Sequence, residues 1–228
     1  MAVITVIFRT RDDEIGLAEA LAALVPAATD GFVRDVVVVD HGSRDGTLTV
    51  ADTAGCAIVE ERDGGGLGSA AEIARGDWLL FLAPGAAVEA EWQGEVRAFI
   101  ERALADGEAR QRAALFGLRR VDGGLRARLA ERSAWLRTRA LLAPHRGQGL
   151  LLSRALYRSL GGHRAVGDMA GADLMRRIGR RHLTFLRARL LVRAPRSRPP
   201  MLRSLRNAAC LALFALGMPA GVVGRLSG

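Results

Sequence analysis

Short apolar runs alternate with segments of helical spacing through the first half of the chain. Four runs have the length of a strand and are rich in Val, Ile and Leu: Ala2 to Phe8, Val33 to Val39, Cys56 to Val59 and Trp78 to Leu82. The segments between them carry apolar residues at helical intervals. This alternation predicts an α/β fold with a mixed, mostly parallel sheet flanked by helices.

The first helical segment is predicted from Glu14 to Leu24, with Asp12 or Asp13 as its N-cap and Pro26 ending it. Its predicted buried stripe is Ile15, Leu17, Ala18, Leu21 and Leu24. The second strand contains the continuous apolar run Val36 to Val39, as expected for a strand that is covered on both faces.

The second half of the chain is predicted to contain further helices and strands. The helices are Glu89 to Leu104, Leu125 to Leu142 and Arg154 to Leu160, the last closed by Gly161 and Gly162. The strands are Ala113 to Leu118, Leu150 to Leu152 and Leu183 to Val192. We therefore expect one domain over residues 1–199 and a separate C-terminal helix within residues 200–228.

That C-terminal segment has no charged residue from Ala208 to Val223, a run of 16 residues. Spanning a bilayer takes about 20 apolar residues, and Pro219 interrupts this run, so we do not expect it to span. Arg203 and Arg206 precede it. Two alternatives remain open: the helix packs on the domain, or it lies peripherally on an anionic membrane.

Charge is distributed unevenly along the chain. All 33 basic residues are arginines, which a GC-rich coding sequence also explains, so the distribution carries more weight than the residue type. Residues 1–122 hold 12 arginines and 21 acidic residues, whereas residues 123–228 hold 21 arginines and 3 acidic residues. The C-terminal half is therefore expected to face an anionic partner.

Several classes of protein are disfavoured by the composition. Half of the residues are hydrophobic, which argues against disorder. Cys56 and Cys210 form no CxxC pair, and the apolar start is too short for a signal peptide, so a cytoplasmic protein is expected. The absence of lysine excludes a Walker motif. Nucleic acid is not expected as a partner, because Phe185 is the only aromatic residue between Asp173 and Arg206.

Candidate chemistry follows the second strand. Asp40 stands at its carboxyl end, followed by a turn containing Gly42 and Ser43, then by Asp45 and Thr47 at the start of a helix. Ligands of open α/β sheets bind at the carboxyl ends of the strands. Asp45 and Thr47 are equally suited to capping the helix without any ligand, so both interpretations remain open.

Taken together, five segments resemble the family 2 glycosyltransferases of GT-A fold, especially a small bacterial subgroup. The segments are the opening strand with Arg9 to Glu14, VVVDHGSRDGT (Val37 to Thr47), ARGDWLLFL (Ala74 to Leu82), GQGLLLSRALYRSLGG (Gly147 to Gly162) and ADLMRRIGRR (Ala172 to Arg181). The resemblance covers most of residues 1–190. It implies a domain that binds a nucleotide sugar and transfers the sugar to an acceptor.

The resemblance also implies a set of binding residues. Asp40 to Ser43 correspond to the loop that binds base and ribose, and Arg62 to Ser69 to the glycine-rich segment that approaches the nucleotide. We assign the donor site to Asp40, Gly42, Ser43, Asp45, Arg62, Gly65, Gly85, Arg146 and Gln148. No residue of the sequence indicates which molecule accepts the sugar.

The chain departs from the family at three motifs. Ala83-Pro84-Gly85-Ala86 stands where members carry an acidic metal-binding signature, so we expect no divalent metal. Arg146 precedes Gly147-Gln148 where members usually have an acidic residue. Of the acidic pair that supplies the general base, only Asp173 remains, and Asp168 and Asp173 are the candidate bases.

If the chain acts as the resemblance implies, arginine is the candidate to replace a metal at the diphosphate. A guanidinium pairs with phosphate through two parallel hydrogen bonds. The candidates are Arg146 and the cluster Arg176, Arg177, Arg180 and Arg181. The alternatives are that Asp173 only supports a helix N-terminus and that the arginines form a solvated face. An active transferase, a degenerate nucleotide-binding protein and an anion-binding protein without a nucleotide site therefore all remain open.

Overall fold

In a computed structural model, the structure describes residues 3–61, 64–89, 91–121, 148–164 and 170–192. The strands are β1 (Ile4–Thr10), β2 (Val33–Asp40), β3 (Ala57–Glu60), β4 (Trp78–Leu82), β5 (Ala86–Val88), β6 (Ala113–Arg120), β7 (Leu150–Ser153) and β8 (Leu183–Val192). The helices are α1 (Glu14–Thr29), α2 (Thr47–Thr53), α3 (Gly66–Ile73), α4 (Trp92–Ala105), α5 (Arg154–Ser159) and α6 (Ala170–Ile178).

The described strands form one sheet in the order β3-β2-β1-β4-β7-β6-β8-β5. β3, β2, β1 and β4 are mutually parallel, and β6 pairs in parallel with β8. β7 pairs antiparallel with β4 and β6, and β5 pairs antiparallel with β8. The predicted mixed, mostly parallel sheet flanked by helices is confirmed.

Alternation along the strands gives the sheet two buried faces. On β1, Ile4, Val6 and Phe8 pack towards α1 and α4, and we call this side the α1 face. Ile7 packs with residues of α3, α5 and α6, and we call this side the α6 face. Val37 to Val39 are fully buried, as predicted for a strand covered on both faces. Burial of each large apolar side chain contributes about 1.5–3 kcal/mol to stability.

The prediction that Pro26 ends the first helix is wrong, because α1 continues to Thr29. Proline lacks an N–H and crowds the preceding turn, at a cost of about 3 kcal/mol. The last turn nevertheless forms, since Ala27 is fully buried and the Asp30 N–H donates to the Pro26 carbonyl at 3.0 Å.

The buried stripe of α1 is also rotated from the predicted one. Its buried residues are Gly16, Leu17, Ala20, Leu24 and Ala27. Ile15, which is 47% exposed, and Ala18, which is also exposed, lie outside the buried stripe, and Gly16 and Ala27 belong to it instead. Strand β5 was not predicted, because its three residues are too few to show an alternating pattern.

The helix predicted from Leu125 to Leu142 and the C-terminal helix of residues 200–228 lie outside the described residues. Within the described ranges, no helix is both long enough and apolar enough to cross a membrane. Trp78 and Trp92 are buried in the core, whereas Trp135 lies outside the described residues.

Candidate functional site

The parallel strands bring several polar residues to one edge of the sheet. β1 ends at Thr10, β2 at Asp40, β3 at Glu60 and β4 at Leu82, and parallel strands share their carboxyl edge. This is the edge at which open α/β sheets bind ligands. The residues predicted to bind a donor are concentrated here.

Asp40 organises the turn that follows β2. Its carboxylate accepts hydrogen bonds from the N–H groups of Gly42 at 3.0 Å and Ser43 at 3.1 Å. The Ser43 hydroxyl donates to the other carboxylate oxygen at 2.5 Å. Gly42 has a φ of 75°, a left-handed conformation that glycine adopts without strain. Asp40 is only 4% exposed, so its carboxylate is committed to the shape of this turn.

The turn after β2 is bound to the loop after β1, and we call these two segments, residues 11–14 and 41–47, the paired loops. The Asp12 N–H donates to the Ser43 hydroxyl at 3.0 Å, and the Arg44 N–H donates to the Asp12 carboxylate at 2.7 Å. The Asp13 N–H donates to the Thr47 hydroxyl at 3.0 Å. Backbone donors and side-chain acceptors therefore fix the two loops against each other.

Asp45 closes the paired loops from the other side. Its carboxylate accepts from the Thr47 N–H at 3.0 Å and from the Glu14 N–H at 3.1 Å. The Thr47 hydroxyl also donates to Asp45, and this bond is the main reason that the pKa of the Asp45 carboxyl is lowered. The N-cap of α2 is Gly46, so neither Asp45 nor Thr47 is the cap residue, but Asp45 accepts from the first N–H of the helix.

Thr10 is the polar residue that this network leaves out. Its side chain is 3% exposed, and the hydroxyl has no hydrogen-bond partner in the part of the chain that the structure describes. Leaving a buried hydroxyl unpaired costs about 1–3 kcal/mol. Thr10 pairs with Asp40 across β1 and β2, so this unpaired hydroxyl lies beside the paired loops at the carboxyl edge.

A partly buried ion pair lies on the α6 face of the same edge. The Arg9 guanidinium donates to Glu61 at 2.6 Å, and the Glu61 side chain is only 1% exposed. His41 Nδ1 lies 3.5 Å from the same carboxylate oxygen. The Arg9 side chain is 37% exposed, so it can meet a ligand while Glu61 holds its position.

The glycine-rich segment packs against this ion pair. A Cβ on Gly66 would lie 2.5 Å from a Val39 methyl carbon and 2.9 Å from Glu61 Cβ, so only glycine fits there. Gly65, which was predicted to bind the donor, has open space beside it and precedes α3. Arg62 lies outside the described residues.

Asp173 lies in the first turn of α6, as the alternative interpretation of a helix N-terminus expected, and forms an ion pair within that helix. Arg177 donates to Asp173 Oδ2 from Nε at 2.9 Å and from a terminal nitrogen at 2.7 Å. Arg177 also donates to the carbonyls of Leu160 and Gly162, which ties α6 to the end of α5. No described residue donates to Asp173 Oδ1. Asp168 lies outside the described residues.

A buried polar pair beside α6 was not predicted from the sequence. The Tyr157 hydroxyl accepts from the His163 backbone N–H at 3.0 Å and lies 3.0 Å from His163 Nδ1. The His163 ring packs edge-on against Phe81, with ring centroids 4.8 Å apart. His163 directly follows Gly161-Gly162, the predicted helix end, which is the only sequence signal that points to it.

Burial determines the protonation of this pair. Burial, together with the nearby Arg177 and Arg9 charges, lowers the pKa of His163 from its ordinary 6.5 to about 4. Burial raises the pKa of Tyr157. Both groups are therefore neutral near pH 7, and we assign the Tyr157 proton to the bond with Nδ1, which leaves the imidazole N–H at Nε2.

Two other predicted residues lie in loops at the same edge. Gln148 donates from its amide to the Phe116 carbonyl at 3.1 Å. Gly85 has a φ of 73°, and its N–H donates to the Gly16 carbonyl at 3.0 Å, which fixes the loop after β4 against α1. Arg146 lies outside the described residues. The structure therefore brings Gly85 and Gln148 to the edge through backbone-directed contacts.

Comparisons with known proteins define the class of fold. No family model matches the chain, and no curated protein matches it. Solved structures of glucosyl-3-phosphoglycerate synthase from Mycobacterium tuberculosis match the chain. One, with Mn²⁺, UDP-glucose and phosphoglyceric acid, has a TM-score of 0.64 at 23% identity, covering 96% of this chain and 81% of that one. Another, with Mg²⁺ and UDP, has a TM-score of 0.63 at 23% identity, covering 96% and 80%.

The sheet and its flanking helices therefore form a GT-A glycosyltransferase fold, as the sequence predicted. These two neighbours are complexes with Mn²⁺ or Mg²⁺, so they give no support to the expectation that this chain acts without a metal. The loop after β4, Ala83 to Ala86, offers no carboxylate. Among the described residues no group of three His, Cys, Asp or Glu could hold a metal ion by itself.

The burial of His163 predicts a specific dependence of stability on pH. Above pH 6.5 the imidazole is neutral in both the folded and the unfolded chain. Between pH 6.5 and about 4 only the unfolded chain takes up the proton, so the free energy of unfolding falls by up to about 3 kcal/mol. Chemical denaturation at four values, about pH 7.5, 6.0, 5.0 and 4.5, measures this loss of unfolding free energy.

His163→Phe keeps a ring against Phe81 and removes the titrating group, so its stability should fall less over the same range. His182→Gln is the control and should keep the wild-type profile, because His182 lies outside the Tyr157–His163 pair, in the short helical turn after α6. Parallel profiles for wild type and His163→Phe would show that burial of His163 does not control the acid sensitivity.

Proposed function

We propose that this protein is a glycosyltransferase that transfers a sugar from a nucleotide-sugar donor to an acceptor. The observation that carries the proposal is the unpaired, buried hydroxyl of Thr10 beside the paired loops at the carboxyl edge. A ligand hydrogen bond would satisfy this hydroxyl. The GT-A fold supports the proposal, and so does the presence of UDP-glucose in the complex of a structural neighbour.

In this proposal the donor lies along the carboxyl edge, on the paired loops. Asp40, Gly42, Ser43 and Asp45 fix the shape of the loops, and the Thr10 hydroxyl bonds the nucleoside. Because both oxygens of Asp40 already accept hydrogen bonds, its contribution is to hold the turn in place. Gly65, Gly85, Gln148 and the two arginines Arg62 and Arg146 remain predicted donor contacts.

We further propose that arginine replaces a metal at the diphosphate. The loop after β4 has no carboxylate, whereas the partly exposed Arg9 guanidinium lies at the end of the central strand. Arg176, Arg180 and Arg181 are exposed at and just beyond the end of α6. A guanidinium supplies both charge and paired N–H donors to phosphate oxygens, which stabilises a leaving nucleoside diphosphate.

Asp173 is the proposed general base. Arg177 holds Oδ2 and leaves Oδ1 available to accept the proton of an acceptor hydroxyl. The hydroxyl oxygen attacks the anomeric carbon, its proton passes to Asp173, and the bond between that carbon and the diphosphate breaks. The nucleoside diphosphate leaves with the electron pair, and the anomeric configuration inverts. Asp168 is the alternative base from the sequence.

One observation favours a second candidate, a degenerate family member that binds a nucleotide without turnover. Asp173 is held in an ion pair with Arg177 and the loop after β4 has no carboxylate, and both features favour binding without turnover. Such a protein would bind the nucleotide through the same paired loops and never release sugar. Activity measurements separate the two candidates.

Replacement of Asp173 by Asn tests the proposed reaction. Asn keeps the side-chain shape and an oxygen for Arg177 but cannot accept the proton. We expect kcat to fall by about 100-fold or more, with UDP affinity unchanged, because general base catalysis contributes about this much. Release of nucleoside diphosphate from a panel of nucleotide sugars, in the presence of candidate acceptors, measures kcat.

Asp52→Asn on α2 is the matched control, because Asp52 is exposed and lies outside the proposed site. An unchanged rate in Asp173→Asn would exclude Asp173 as the base. Nucleotide binding by the wild type with no sugar release under any condition would favour the degenerate binder.

Replacement of Thr10 by Val tests the donor site separately from catalysis. Val fills the same space without the unpaired hydroxyl, so the folded chain should be as stable as the wild type or more stable. Loss of one ligand hydrogen bond should weaken UDP binding by about three- to tenfold. Thermal unfolding and calorimetric titration with UDP measure the two effects.

Thr5→Val, at the other end of the same strand, is the control with the opposite outcome. The Thr5 hydroxyl donates to Asp35 at 2.5 Å and accepts from the Gly76 N–H at 2.8 Å, so its loss should lower stability and leave UDP affinity unchanged. Equal UDP affinities in wild type and Thr10→Val would remove Thr10 from the donor site.

A further inference from the structure

A row of residues crosses the carboxyl edge on the α6 face, with an arginine at each end. Ile7, Phe81, Leu150 and Leu115 are aligned on β1, β4, β7 and β6. The row of interest lies one side-chain step nearer the edge. Counting two residues towards the edge from each aligned position gives Arg9, Ala83, Gln148 and Gly117. Gly117 is paired with Arg189 on β8.

Two of the residues between the two arginines carry little or no side chain. Ala83 and Gly117 are small, and a Cβ on Gly117 would lie 3.1 Å from Arg189 Cγ. The Gln148 amide is bonded to the Phe116 carbonyl. Four strand spacings separate β1 from β8, which is about 19 Å at about 4.8 Å each. Arg9 and Arg189 therefore lie at opposite ends of this row, which we call the strip.

Arg187 joins Arg189 on the same face of β8. Leu186, Ala188 and Leu190 all pack into the α1 face, so alternation directs the intervening arginines to the other side. Both arginines are exposed. Within the described ranges neither guanidinium has a hydrogen-bond or ion-pair partner, whereas the neighbouring Arg119 is paired with Glu89 at 3.2 Å.

The backbone that carries these arginines is held in place by α4. The register of β6 and β8 shifts between Leu115 and Gly117, which marks a bulge in β8. The Glu95 carboxylate accepts from the N–H of Arg187 at 2.7 Å and of Ala188 at 2.5 Å. Glu95 therefore satisfies the donors that the bulge leaves without strand partners, and the two guanidinium groups project from a fixed base.

We propose that Arg187 and Arg189 bind an anionic group, phosphate or carboxylate, of a small soluble acceptor, which defines the acceptor as an acid. The inference rests on the proposed function, because it places the acceptor at the end of the strip opposite the donor phosphates. Two unpaired guanidinium groups on one strand face match the oxygens of such an anion.

Binding of phosphoglyceric acid to the wild type and to variants tests this proposal. Calorimetric titration should show binding to the wild type, weaker by about tenfold in Arg187→Gln and in Arg189→Gln, because each loses a charge-assisted hydrogen bond. Arg34→Gln, at the opposite edge of the sheet, makes the same change of charge and should bind as the wild type does. Glycerol, the uncharged probe, should not bind.

Titration with UDP on the same variants separates the two proposals. Unchanged UDP affinity in the double variant Arg187→Gln/Arg189→Gln, together with loss of phosphoglyceric acid binding, is the expected result. If UDP fails to bind the wild type while the phosphoglyceric acid pattern holds, the donor proposal fails and the anion site stands.

Three results would overturn the anion site. The first is phosphoglyceric acid affinity that is equal in the wild type and the double variant. The second is no binding of phosphoglyceric acid to the wild type. The third is Arg187- and Arg189-dependent binding to phosphatidylglycerol vesicles alone, which would assign the two arginines to a lipid surface.

Discussion

The buried carboxylate of Asp40 is the interaction on which the candidate site depends. Burying a charge without partners is costly, and here three donors on Gly42 and Ser43 compensate for it. Because Ser43 then accepts the Asp12 N–H, the same carboxylate indirectly positions the loop after β1. The shape of the carboxyl edge therefore follows from one side chain at the end of one strand whose last four residues are buried.

Much of this arrangement could be predicted from the sequence, because it rests on local patterns. The continuous run Val36 to Val39 predicted a strand buried on both faces, and the Asp40-Gly42-Ser43 spacing predicted the turn after it. The boundaries of β4 and β8 agree with the predicted Trp78 to Leu82 and Leu183 to Val192. Strand-length apolar runs and glycine-containing turns are signals that neighbouring residues alone determine.

Contacts between distant segments could not be predicted in this way. The Arg9–Glu61 ion pair joins residues 52 positions apart, and the contacts of Arg177 with Leu160 and Gly162 depend on how α6 packs against α5. The low pKa of His163 follows from burial, which its sequence neighbours do not reveal. Pro26 shows the converse case, in which burial of Ala27 outweighs a local helix-breaking preference.

The central proposal is that the carboxyl edge binds a nucleotide sugar through the paired loops and arginines, without a metal. Calorimetric titration of the wild-type protein with UDP-glucose, once in EDTA and once in Mn²⁺, tests it most directly. The account predicts saturable binding with the same Kd in both solutions. Binding that appears only with Mn²⁺, or no binding in either solution, would contradict it.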